Sequence, residues 1–172
     1  MAKNKEIYRR NNKKRRSYKI PTPFIYTLLV TVGLYFFIHS PIFNIKNINV
    51  TGNNMLATEK ILSLSQVNIG QNIMKIEKED IIKMISVHPF VKEVQIKRHL
   101  PYTLEIQVLE RQPVGLLVSQ DGFIQVSDEG YFLALVHDIG DYVLPVISGL
   151  NIEELPGPGQ IIKNKGLNMA LN

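Results

Sequence analysis

The chain has 172 residues, 45% of them hydrophobic and 20% charged, with no cysteine and a formal net charge of +5. Without cysteine there is no disulfide framework, so an exported domain in this chain must be held together by an apolar core alone. A pI near 9.4 would point to nucleic acid if it described one surface, but the charge is segregated. Residues 1–19 hold nine Lys or Arg and one acid, a charge of +8, whereas residues 44–172 hold eleven basic and fourteen acidic residues, a charge of −3.

Between these parts, Ile20 to Ile45 carries no Lys, Arg, Asp or Glu. About 20 apolar residues suffice for an α-helix to cross the hydrocarbon core of a bilayer. The only polar side chains at the centre of this run are hydroxyls, and a helix pairs its own backbone groups. Tyr26, Tyr35, Phe36 and Phe37 suit the interfacial aromatic belts. Residues 20–43 are therefore expected to form a transmembrane helix, behind a basic tail over residues 1–19. Lys46 is the only charged residue between 44 and 58, so the positive-inside bias puts the N-terminus in the cytoplasm and the rest of the chain outside. A cleaved signal is the rival reading. The long basic region, the lack of an A-x-A-like site and Pro41 directly after Ser40 favour a retained anchor. The basic residues nearest the span, Lys13, Lys14, Arg15, Arg16 and Lys19, are expected against anionic headgroups. No base-reading motif accompanies them, so no nucleic-acid partner is expected.

Beyond the span, Ile48 and Val50 alternate with Asn47, Asn49 and Thr51, and Gly52-Asn53-Asn54 stops this strand. Thr58 is the expected N-cap of a helix carrying Ile61, Leu62 and Leu64, with Glu59 in its first turn. A second helix is predicted from about Glu77 to Val87, with Ile81, Ile82 and Ile85 on one face. Pro89 ends it by pushing His88 out of the α region. Val94 and Ile96, then Leu104, Ile106 and Val108, alternate with polar residues on either side of Leu100-Pro101-Tyr102. That pattern is a hairpin with one apolar face. The order strand, helix, helix, strand, strand implies an α+β layer.

These residues carry a resemblance. The element order is that of a POTRA domain, an extracytoplasmic interaction module. The run Pro89, Val91, Val94, Ile96, Arg98, Leu100-Pro101, Thr103-Leu104, Ile106, Val108, Glu110-Arg111, Pro113-Val114 resembles the signature of bacterial FtsQ/DivIB cell division proteins. Its most distinctive piece is Glu110-Arg111-x-Pro113. Basic tail, single span and POTRA domain come in the same order in that family, so the resemblance covers nearly the whole chain. Physics also gives these positions structural work. Pro101 stiffens the hairpin turn, Pro113 is expected to end ladder pairing as the chain leaves the sheet, and Glu110 and Arg111 are expected to make backbone or ionic contacts at a domain junction.

After Pro113 the pattern stays β-like. Leu116 and Val118 precede Asp121-Gly122, a two-residue hairpin signal. Phe123, Ile124 and Val126 follow, Asp128-Glu129-Gly130 turns into Tyr131 to Val136, and Leu144-Pro145-Val146-Ile147 with Gly149 is expected to complete a meander. Residues 153–159 read as loop and residues 161–171 as the start of a helix. The segment resembles the β domain that follows POTRA in FtsQ/DivIB proteins, so the expected domains are POTRA over 44–112 and a β domain over 113–172. In that family the β domain continues through further strands that bind a partner by strand addition. The resemblance thus implies that this chain stops short of them.

No catalytic motif appears. His39, His88, His99 and His137 are scattered without metal-ligand spacing, and there is no G-x-S-x-G, G-x-x-x-x-G-K-[ST] or G-x-G-x-x-G. Asp128 and Glu129 read as turn and solubility residues. No cofactor, metal or small-molecule substrate is expected. The resemblance implies a non-catalytic single-pass protein of the bacterial cytoplasmic membrane at the division septum. Its implied partners are the bitopic division proteins FtsL and a DivIC/FtsB-like companion, its implied role the regulation of septal peptidoglycan synthesis. The family-motif residues that would carry structure or partner contact are Pro89, Val94, Arg98, Pro101, Leu104, Glu110, Arg111, Pro113 and Gly130. A rival is a membrane-anchored POTRA module for exported polypeptides, although repeated POTRA units and barrel strands are missing. A cell-wall enzyme is a more distant one.

Overall fold

The computed structural model describes residues 21–140, 143–150 and 156–170. The basic tail, with Lys13, Lys14, Arg15, Arg16 and Lys19, lies outside the described residues. The described chain divides after Ile38 into two units.

In the first unit, α1 spans Thr22–Ile38 and buries no residue. Its apolar side chains face outward all round, as suits a helix whose solvent is lipid. The hydroxyls of Thr27 and Thr31 donate back to the carbonyls of Pro23 at 3.0 Å and Thr27 at 2.8 Å. Neither hydroxyl therefore needs water. The stretch Thr22–Phe43, 22 residues, is the one segment among those described that is long and apolar enough to cross a membrane.

In the second unit, a 3-10 turn at Pro41–Phe43 leads to β1 (Asn47–Thr51), α2 (Thr58–Ser65), α3 (Lys78–Ser86), β2 (Val91–His99) and β3 (Thr103–Glu110). The sheet order is β1-β3-β2. β2 and β3 form the antiparallel hairpin, while β1 lies parallel to β3 from Asn47↔Thr103 to Thr51↔Gln107. A parallel neighbour needs a crossover connection, and α2, α3 and the outer strand β2 supply it. The helices' buried Ile61, Ile81 and Ile85 pack on Val94, Ile96, Leu104, Ile106 and Val108 of the sheet. In β3 these apolar residues alternate with half-exposed or exposed ones, so one face is core and the other is wet. Thr58 is the first helical residue of α2 and not its cap. Ala57 holds the cap position, and the Thr58 hydroxyl instead accepts from the Asn53 amide at 3.2 Å.

A second sheet follows: β4 (Pro113–Ser119), β5 (Gly122–Ser127), β6 (Phe132–Val136) and β7 (Val146–Ile147), in the order β6-β5-β4-β7. Leu117, Ile124, Val126 and Phe132 form its core with Ile162 and with Leu167 of α4 (Lys165–Ala170). Four sequence expectations are corrected here. Pro113 does not end pairing. It opens β4 opposite Ser127, at the first residue of a strand, where a missing N–H is tolerated. The hairpin loop is Gln120-Asp121, because Ser119 already pairs with Gly122. Gly122, at φ +135, starts the returning strand in a conformation closed to most side chains. Val146–Ile147 does not extend a meander but pairs parallel with β4 at Leu116 and Leu117. The final helix also begins later than the pattern implies, since Ile161 forms a bridge to Tyr131 and Ile162 is buried.

The two faces of β3 give a stability test. Ile106→Ala, at a site with no exposed surface, should cost about 2–5 kcal/mol in denaturant unfolding. Leu109→Ala, at a position 52% exposed, should stay within about 0.5 kcal/mol of wild type.

Candidate functional site

The end of β3 places two ionic side chains on opposite jobs. Glu110 is 5% exposed, and its carboxylate accepts three backbone N–H bonds: Oε2 from Asn54 at 3.0 Å and Met55 at 2.7 Å, Oε1 from Leu56 at 2.9 Å. These donors belong to the turn that carries the chain from β1 into α2. A buried carboxylate is tolerable only when its lone pairs are met, and here the turn's own orphan donors meet them. Glu110 thus ties the last strand of the first sheet to the connection behind the first strand.

Arg111 reaches the other way. Its backbone N–H donates to Phe90 at 2.7 Å, and its Nη1 donates to the carbonyls of Pro89, at 3.1 Å, and Val91. Its Nε donates to Glu129 Oε2 at 3.3 Å, and its guanidinium lies 3.8 Å from the centroid of the Tyr131 ring. The planar cation can do both because its edge donates while its face stacks. Glu129 Oε1 meanwhile takes Lys92 Nζ at 2.7 Å. Lys92 is on β2 and Glu129 is in the turn before β6, so this cluster fastens the first sheet to the second. The Lys92 hydrogen bond, and after it that from Arg111, hold the Glu129 carboxyl below its ordinary value; the same contact raises Lys92.

Of the motif residues, Arg111 meets the Pro89 carbonyl at this seam and Gly130 stands between Glu129 and Tyr131, whereas Glu110 faces the turn at residues 54–56 and Pro113 opens β4. Gly130 is buried at φ +79, donates to Ser127 at 2.9 Å and accepts from Ile162 at 2.9 Å. A β-carbon is disfavoured at that φ. Val94 and Leu104 lie apart from the seam, in the first core. Arg98 and Pro101 lie at the far end of the hairpin. Arg98 Nη2 donates to the Ile76 carbonyl, while its buried Nε has no partner. Sequence reading missed Lys92, Tyr131 and the bridging role of Glu129. Glu129 stands eighteen positions from Arg111, and no local spacing announces the pair.

His88 adjoins the seam, with Nδ1 accepting from Phe90 N–H at 3.4 Å. Burial, and after it the Lys60 ammonium, lower its proton affinity, against a smaller upward pull from Glu110. Among the described residues no three His, Asp or Glu side chains could hold one metal ion.

Comparison with known proteins fits this architecture. Residues 43–111 match the family model described as POTRA domain, FtsQ-type. Over 149 residues, 87% of this chain, it is 32% identical to the cell division protein DivIB of Clostridium botulinum (strain Loch Maree / Type A3), covering 57% of that protein. It is 32% identical over 117 residues to DivIB of Clostridium acetobutylicum, which covers 68% of this chain and 44% of that protein. It is 34% identical over 111 residues to the cell division protein FtsQ of Geobacter sp. (strain M21), covering 63% of this chain and 39% of that protein. The chain spans little more than half the length of these relatives at most.

Two outcomes follow from the seam. Glu110→Ala strands three backbone donors and should cost on the order of 2–3 kcal/mol in denaturant unfolding, whereas Glu129→Gln, at exposed ion pairs, should cost about 1 kcal/mol or less. The His88 imidazole favours folding when neutral. Its contribution is complete above its ordinary value of 6.5 and is lost as pH falls through the lowered folded value. His88→Gln should therefore flatten part of the decline in unfolding midpoint as pH falls below the ordinary value of 6.5. Residues 43–111 are a POTRA domain of the FtsQ type, and the chain belongs with the DivIB/FtsQ cell division proteins.

Proposed function

We propose that this protein is a non-catalytic, single-pass scaffold of the bacterial division machinery. Its residues 1–19 form a cytoplasmic basic tail, residues 20–43 the membrane span, residues 44–112 the POTRA domain and residues 113–172 the β domain. The ectodomain stands outside the cytoplasmic membrane at the septum, and there holds other bitopic division proteins of the FtsL and DivIC/FtsB-like kinds. Through them it regulates septal peptidoglycan synthesis.

The observation that carries this reading is an FtsQ-type POTRA match over residues 43–111, following one apolar helix and running through Glu110-Arg111 into a second sheet. The motif residues then act by fixing the two sheets in one arrangement, so that exposed strand edges are presented together. Edge pairing of strands is a recognised way for such a surface to take a peptide. Arg111 holds both sheets, and its loss should affect partner capture more than it affects the fold of either sheet.

A functional fluorescent fusion should gather at the septum of dividing cells and should bring down other bitopic division proteins from detergent extracts. Even distribution round the membrane, or capture of unfolded export clients in their place, would overturn the proposal. Arg111→Ala should weaken that co-purification by about tenfold, the effect of roughly 1.4 kcal/mol lost at the seam, with the fusion still present at wild-type abundance.

A further inference from the structure

The exposed apolar side chains of the POTRA domain are not scattered evenly. Ile69 is 71% exposed and Leu100 57%, with Met74 and Tyr102 also open to solvent. The backbone brings their two segments together with the stretch that follows the span. Ile73 N–H donates to Phe43 at 2.8 Å, Ile45 N–H to Gln71 at 2.8 Å and Gly70 N–H to Ile45 at 2.8 Å, while Lys46 N–H donates to Tyr102 at 2.9 Å. The Lys46 ammonium lies 4.9 Å from the Tyr102 ring centroid. Segments 42–46, 68–75 and 98–103 thus form one end of the domain.

That end differs in charge from the rest of the exported part. The three segments contain Lys46, Lys75 and Arg98 and no Asp or Glu, although residues 44–172 carry −3 overall. It also has a covalent constraint. Phe43, anchored by its carbonyl to Ile73, is five positions after Ile38, the last residue of α1. A chain of that length spans at most about 17 Å. If α1 crosses the bilayer, this end of the domain is the part tethered within reach of the lipid.

We propose that the membrane-proximal end of the POTRA domain, formed by Ile69, Met74, Leu100 and Tyr102 with Lys46, seats in the headgroup region of the bilayer that α1 spans. Isolated exposed apolar residues are ordinary, but a cluster rimmed by cations and held next to an anchor meets the requirements of an interfacial contact. Tyr102 supplies an amphipathic ring of the type that favours the interface. The Lys46 and Lys75 ammoniums match anionic headgroups. The contact would limit the swing of the exported domain about its tether. It depends on α1 being a membrane anchor and is independent of the proposed role in division.

The test uses the whole chain in vesicles of phosphatidylglycerol and phosphatidylethanolamine. The native sequence has no cysteine, so single substitutions Ile69→Cys, Leu100→Cys and, as the remote control, Val118→Cys can each carry an environment-sensitive fluorophore. Lipids bearing a quencher just below the headgroups should quench labels at 69 and 100 at least threefold more than the label at 118, with a blue shift of emission at the first two sites only. Equal, weak quenching at all three sites in chains that float with the vesicles overturns the proposal and leaves the anchor standing. Chains that do not float overturn both. A second measurement keeps the result independent of labelling: Lys46→Glu with Lys75→Glu should reduce protection of residues 68–75 from hydrogen exchange in these vesicles but not in detergent. An identical loss in both media would assign the protection to folding and also overturn the proposal.

Discussion

The architecture depends on a charge pair that is not a pair. Glu110 and Arg111 are neighbours in sequence but turn away from each other, and each neutralises a different set of backbone groups. The carboxylate closes the turn at residues 54–56, where the first strand hands over to the helices. The guanidinium collects carbonyls at the start of β2 and a carboxylate from the second sheet. A single dipeptide at the end of β3 therefore joins the two ends of the POTRA connection and the two sheets. The physical reason is satisfaction of polar groups in places that water reaches poorly. Each charge brings enough donors or acceptors to meet several groups at once, which a neutral side chain of that size cannot do.

The seam around Arg111 also illustrates how unequal its members are. The lysine–glutamate contact is short, yet both partners are over a third exposed, so screening and side-chain entropy leave little net energy in it. Arg111 is 12% exposed on its side chain and combines carbonyl, carboxylate and ring contacts. Glu129 and Lys92 are better understood as orienting groups round an arginine that does most of the fastening.

Much of this was legible in the sequence. Periodicity of two in Leu104, Ile106 and Val108, and of the helical kind in Ile81 and Ile85, reports burial directly, and those residues fill the first core. The charge-free run from Ile20 to Ile45 announced a long apolar helix by composition, and α1 fills most of it. Apart from the Thr58 cap and the one-residue shift of the hairpin loop, what failed depended on pairing between distant segments. Pro113 looks like a terminator to local rules, but its partner Ser127 lies across a later hairpin. Val146–Ile147 reads as the next antiparallel strand, whereas its place beside β4 is fixed by register that no local pattern encodes. The motif Glu110-Arg111 stood out as a motif, but a list of residues does not say that Glu129 and Tyr131 wait on the other side.

The parallel placement of β1 against β3 has a mechanical side. The chain enters this sheet at Asn47, which follows α1 and the 3-10 turn in sequence, and leaves it at Glu110 toward the second sheet. Because β1 and β3 run in the same direction, these attachment points lie at opposite ends of one strand pair. Tension between α1 and whatever grips the second sheet would load the five matched positions from Asn47 to Thr51 side by side, in shear. An antiparallel hairpin pulled from its two open ends peels one pair at a time. The POTRA sheet is strung the other way, as a splice rather than a zip, and suits a part that transmits a pull without coming undone.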